Sequence, residues 1–231
     1  YHDAHDILLR MEAIPNRLRA VKSNEQTILK IGCTMSQEAK CLTKALRLFH
    51  RENSRVSPRI YLDDYFQLVN RLVENQLDLI MGTKAMIQDR TECQFQKLFT
   101  CSMKALIPKE IAIIDKKSLS INDLQNNTFI TLRQKSIPKL KEDDLERFLS
   151  TKTRERNVIR QDDVEAVLTL TLSGYGIGIL PEYSFCKEDL DETVQVVDIQ
   201  ESLEIDYGII YLKKDKNLLV REFIKCLNSF L

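Results

Sequence analysis

The stretch Thr27–Thr83, TILKIGCTMSQEAKCLTKALRLFHRENSRVSPRIYLDDYFQLVNRLVENQLDLIMGT, decides the reading of the fold. Ile28, Leu29 and Ile31 form a short apolar run ending at Gly32, the pattern of a parallel strand buried on both faces. Thr34-Met-Ser-Gln37 has the spacing of a capping box, with a hydroxyl at the N-cap and an amide three residues on. Ala39, Leu42, Leu46 and Phe49 follow at steps of three and four, one face of a helix. Ile60, Tyr61 and Leu62 read as a second strand, with Pro58 tolerated near its start. Val69, Leu72 and Val73 mark a second amphipathic helix, and Leu79, Ile80 and Met81 a third strand ended by Gly82. The unit is βαβαβ, so its sheet is expected to be parallel with right-handed crossovers.

Such a unit leaves one kind of place for a ligand. The carboxyl ends of the strands meet the helix starts, where free backbone N–H groups point into a crevice. Thr34 and Ser36 fall at that place, although a hydroxyl at a helix start more often serves only as a cap.

Working outward, residues 1–22 carry Ile7, Met11, Ile14, Leu18 and Val21, a heptad-like seam interrupted by Pro15. That pattern suits either a connecting or dimerising helix or one packed on the body of the domain. Beyond Gly82, residues 94–107 read as two extended segments leading toward a second sheet. Ser120–Leu124 reads as a short helix, Thr128–Leu132 as a strand, Arg133–Ile137 as a polar loop and Leu140–Leu149 as a helix. Asn157–Ile159 is a further short strand, and Asp162 or Asp163 caps a helix with Val164, Val167, Leu168 and Leu172 on its apolar face. Gly174 and Gly176 stop that helix around Tyr175, and Ile177–Pro181 is a buried strand. Asp206–Lys213 reads as a strand leaving the second unit, and Asn217 caps a last helix that needs the first unit's core to cover it. The expected organisation is a helix at 1–24, a first lobe at 25–102 and 209–231, and a second lobe at 103–208. Two crossings between the lobes would leave a cleft.

Composition narrows the function. With Lys plus Arg and Asp plus Glu at 34 each in 231 residues, no global basic character favours nucleic acid. No apolar run approaches a membrane span of ~18 residues, and the N-terminus lacks signal-peptide order. The chain starts at Tyr1, so a fragment of a longer protein is expected. Six cysteines, at 33, 41, 93, 101, 186 and 226, show no CxxC and join none of the three histidines in a metal pattern. Reduced cytoplasmic thiols are the plain reading, and a redox pair of Cys93 and Cys101 the sharper one. Neither a nucleophile–base set nor a phosphate loop appears, so no catalytic residue, metal or cofactor is assigned.

Three stretches, LKIGCTMSQEAKCLTKALRLFHRENSRVSPRIYL, LVENQLDLIMG and LTLTLSGYGIGILPEY, together resemble the effector-binding domain of LysR-type transcriptional regulators. The closing REFIKCLNSFL is similar to that family's last helix. The resemblance implies an α/β fold of the type 2 periplasmic binding protein kind: two Rossmann-like lobes with a hinge of crossover strands, preceded by a linker helix. It implies a small-molecule effector between the lobes, a homodimer or tetramer, a cytoplasmic location, and DNA contact only through a winged helix-turn-helix lying before residue 1. It also implies an interface on the outward face of residues 37–51. The sequence departs from the family pattern around Ala39–Leu42 and at Pro15.

Family effector positions fall here on Thr34 and Ser36 at the first helix start, and on Gly82 and Thr83 after the third strand. They fall also on Thr100 and Ser102 on the crossover, Thr131 and Arg133 at the second-lobe strand end, and Tyr175 and Gly176 in the glycine turn. Short hydroxyls and amides with one guanidinium suit a small anionic metabolite, which Arg133 could grip bidentately. A transporter's solute-binding protein would share the fold and cleft, but has no need of the 1–22 seam. A dehydratase or deaminase on this fold would need catalytic groups that the sequence does not show.

Overall fold

The computed structural model describes residues 27–111, 117–124, 126–133, 158–186, 190, 192–202, 204–214 and 217–229. The seam at 1–22, the helix at 140–149 and most of the loop at 133–137 lie outside them.

Strand β1 (Thr27–Cys33) sits between β2 (Val56–Leu62) and β3 (Leu79–Thr83), parallel to both, as the βαβαβ reading requires. Its Leu29, Ile31 and Cys33 are wholly buried, which is why a continuous apolar run marks it. The expected single helix after it is two: α1 (Ser36–Cys41) and α2 (Thr43–Glu52). At the join the Leu42 N–H reaches back only to Ala39 O at 3.2 Å, and the Thr43 hydroxyl donates to Lys40 O at 2.7 Å. Tightening the turn this way keeps Leu42 in the core while re-aiming the axis. Helix α3 (Tyr65–Val73) is capped by Asp64, which accepts from Gln67 N–H at 2.9 Å.

β4 (Cys93–Cys101) leads through Ser102 into β5 (Met103–Pro108) of a second sheet. That sheet holds β6 (Ser118–Leu119), β7 (Phe129–Leu132), β8 (Val158–Gln161), β9 (Ile177–Pro181) and β10 (Val194–Ile199), in the order β6-β10-β5-β9-β7-β8. Helix α4 (Val164–Leu172) covers it, capped by Asp163 accepting from Ala166 N–H at 2.8 Å. Local pattern does not mark β10, whose partner β5 lies about ninety residues earlier in the chain. The chain then returns through β11 (Ile205–Leu212), which lies antiparallel between β3 and β4 and completes the order β2-β1-β3-β11-β4.

The last helix, α5 (Leu218–Asn228), packs back on the first lobe as expected. Its Phe223 meets Phe49 of α2 edge to face, with ring centroids 5.4 Å apart at 85°. One apolar cluster runs from these rings through Cys101 and Met103 to Phe129 and Ile179, so the core is continuous through the junction of the lobes. Phe223→Ala removes a fully buried ring from this cluster. It is expected to lower unfolding free energy by about 3–5 kcal/mol in urea denaturation, with Phe223→Leu costing less.

Candidate ligand site between the lobes

The carboxyl ends of β1 and β3 face those of β7 and β9. Met35, just past β1, packs against the second-lobe cluster that includes Leu132 and Val164. Gln37 on α1 donates from Nε2 to Glu165 Oε1 on α4 at 2.6 Å, bridging the lobes. Beneath them pass the two crossings, β4 into β5 and β10 into β11.

The start of α1 departs from the expected box. Its N-cap is Met35, in extended conformation, and the residue reaching back is Glu38 rather than Gln37. Glu38 Oε2 accepts Thr34 N–H at 2.5 Å and Met35 N–H at 3.3 Å. A carboxylate makes stronger bonds to these donors than an amide does, which releases Gln37 to the other lobe. The donors that would greet an anion here are therefore taken by the chain itself.

Glu38 is 2% exposed. Burial pushes its carboxyl up to about 7, against the pull of the Thr34 and Met35 N–H groups and of nearby hydroxyls of Tyr207 and Thr34. The Tyr207 hydroxyl lies beside the carboxyl but makes no hydrogen bond of good geometry with it. Tyr207 stacks on Tyr183 at 4.6 Å and 26°, and leans on Phe99 at 5.1 Å. Burial, and then the charge of Glu38, raises both phenols. Among the described residues, three buried side-chain polar atoms lack a hydrogen-bond partner: Glu38 Oε1, Thr83 Oγ1 and the Tyr207 hydroxyl. Thr83 and Tyr207 stand opposite each other in the β3–β11 pairing, so their side chains share a face.

The residues expected at the site divide into two groups. Thr34 and Ser36 flank the turn into α1, and Gly82 and Thr83 end β3. A Cβ on Gly82 would lie 2.1 Å from Met86 Sδ, so the strand end admits only glycine without rearrangement. Ser102 sits on the crossing, its carbonyl accepting from Glu182 N–H at 3.0 Å. Thr131 and Arg133 reach the facing edge, but the Thr131 hydroxyl is spent on Ile179 O at 2.9 Å, and Arg133 is an exposed partner of Asp162 at 3.4 Å. Thr100 faces solvent with Asp206. Tyr175 and Gly176 precede β9 beside Thr128, at the opposite edge of the sheet from Arg133. Three groups that do converge, Glu38, Tyr183 and Tyr207, were missed. A glutamate four residues past Thr34, in the first turn of a helix, was the available signal for the first.

Cys93 and Cys101 do not form the redox pair the sequence suggested. Cys93 and Cys101 end the same nine-residue strand. That sets them roughly 26 Å apart, far beyond the ~7 Å Cα limit of a disulfide. Burial raises the Cys93 and Cys33 thiols and pushes that of Cys101 up to about 11, so all three stay protonated.

A two-lobed α/β body with two adjacent crossings is the type 2 periplasmic-binding-protein fold. Residues 22–231 match the LysR substrate binding domain, and the chain belongs to that family. The curated relatives it matches are transcriptional regulators. It is 27% identical over 88% of its length to 67% of the HTH-type transcriptional regulator AlsR of Bacillus subtilis. A full-length OxyR from Pseudomonas aeruginosa superposes with a TM-score of 0.70 at 15% identity, covering 98% of this chain and 77% of that one. The Synechocystis CcmR regulatory domain in complex with 2-PG superposes at 0.69 with 15% identity, covering 89% and 97%. The chain spans about two thirds of the length of the curated relatives it matches. A transporter's solute-binding protein is not favoured by these matches.

Because the folded chain raises the Glu38 carboxyl above its unfolded value, its contribution is complete below about pH 4.5 and is lost as pH rises through about 7. Glu38→Gln is thus expected to gain stability relative to the parent from pH 5 to 8, by on the order of 2 kcal/mol in urea melts.

Proposed function

We propose that this domain senses a small metabolite held between its lobes, beside Thr34, Ser36, Gly82, Thr83 and Ser102 on one side and Thr131 and Arg133 on the other. The observation that carries this reading is the clustering of unpartnered buried polar atoms. Thr83 and Tyr207 are opposed residues of β3 and β11, and Glu38, in the first turn of α1 just past β1, lies beside the Tyr207 hydroxyl. Glu38 Oε1, Thr83 Oγ1 and that hydroxyl are the three buried side-chain polar atoms without a partner among the described residues. Buried polar groups are otherwise nearly always paired, so the cluster is what a ligand's own polar groups would satisfy. The reading leaves out Tyr175 and Gly176, which precede β9, and Thr100, whose hydroxyl donates to Asp206.

A ligand bridging both lobes favours the arrangement it contacts better, and that difference in affinity is the whole of the signal. The signal would pass to a winged helix-turn-helix N-terminal to this domain in a cytoplasmic homodimer or tetramer. Family regulators bind effectors, oligomerise and contact DNA through an N-terminal domain, which supports the assignment. Among the described residues no helix is long and apolar enough to cross a membrane.

Calorimetric titration with amino acids, aromatic acids and small carboxylates tests the reading. A compound that binds is expected to lose about tenfold in affinity in Thr83→Val, the effect of one hydrogen bond, and nothing in Tyr175→Phe. Equal loss in both variants would place the ligand elsewhere.

A further inference from the structure

The three unpartnered atoms share a chemistry that narrows the ligand, given that the cleft is the effector site. A carboxylate oxygen can only accept, and threonine and tyrosine hydroxyls can each accept. An ammonium group offers three donors and no acceptor. We infer that Glu38, Thr83 and Tyr207 form a subsite for the ammonium group of the effector, with the stacked Tyr183 and Tyr207 rings beside it.

Four features of the site agree with this assignment. Glu38 has no basic partner among the described residues, so its charge is uncompensated except by two backbone N–H groups on the other oxygen. The groups that face it are Cys33 from β1, Tyr207 from β11 and Tyr183 from the turn at Glu182–Ser184, none of them cationic. Second-lobe carboxylates on this side, Glu165 and Glu182, add negative potential, although Gln37 and Lys104 hold them. Finally, the Tyr207 hydroxyl beside the carboxyl offers an ammonium a further accepting oxygen. The Gln37–Glu165 contact closes the site, so entry requires the lobes to part.

An anion is disfavoured at the same place. It would meet a carboxyl whose second oxygen already occupies the Thr34 and Met35 donors, with Arg133 out at the exposed rim beside Asp162. Binding of an ammonium draws Glu38 to its charged form, so affinity and protonation are linked.

The test uses the 231-residue chain and matched probe sets: L-amino acids, the amines made by removing their carboxyl group, and the carboxylic acids made by removing their amino group. Polyols serve as a neutral arm. Titration calorimetry is run at pH 6, 7 and 8 in two buffers of different ionisation enthalpy. Binders are expected among the amino compounds, with affinity rising up to about tenfold from pH 6 to 8 and protons released at pH 7. Glu38→Gln, whose amide oxygen still accepts the Thr34 N–H, should cost at least about tenfold and abolish both the pH dependence and the proton release. Tyr207→Phe, which keeps the stacked ring, should cost a smaller factor and confirms the site if Glu38→Gln proves unstable.

Carboxylic acids or polyols that bind the parent chain and Glu38→Gln alike, while Thr83→Val weakens them, would overturn this inference and leave the cleft reading standing. An amino compound indifferent to Glu38→Gln overturns it equally. No binder in any arm counts against both readings.

Discussion

The architecture depends on where β11 goes. Emerging from the second sheet, it inserts between β3 and β4, and its antiparallel bonds to both hold the first sheet closed around Ile209 and Ile210. The same insertion sets Ile205 against Cys101, so the two passages between lobes are neighbours, tied again where Met103 N–H donates to the Ser202 hydroxyl at 2.8 Å. It also delivers Tyr207 to the strand ends beside Thr83. Fold closure, hinge and candidate site are three results of one strand placement.

Much of this was legible from periodicity alone. Within 27–83 the three strands and the helix Tyr65–Val73 follow from local pattern, because β1 and β3 are buried on both faces and that helix carries a clean apolar stripe. The helical stretch after β1 was legible except for its break. The cap at Asn217 was equally readable and that at Asp163 was one of two adjacent candidates, each side chain meeting a backbone N–H within three residues. What failed was non-local or one residue off. The break at Leu42 answers to core packing, and β10 is a strand by virtue of β5. Thr131 does stand at the expected strand end, but the register with β9 spends its hydroxyl on a carbonyl.

The aromatic of the glycine turn obeys a rule of another kind. Tyr175 follows a helix and precedes a strand, and in a parallel sheet the start of a strand lies at the edge away from the ligand. That inference needed topology and no coordinates. Glu38 needed slightly more: the choice between Gln37 and Glu38 turns on whether Thr34 or Met35 begins the helix, a one-residue question that pattern does not resolve.

The bridge from Gln37 to Glu165 has an energetic meaning of its own. An amide donating to a largely exposed carboxylate contributes on the order of 1 kcal/mol, close to the thermal scale. Breaking this bridge alone would therefore cost little, whereas the packing of Met35 against the second-lobe cluster and the core shared by both sheets carry most of what holds the lobes together.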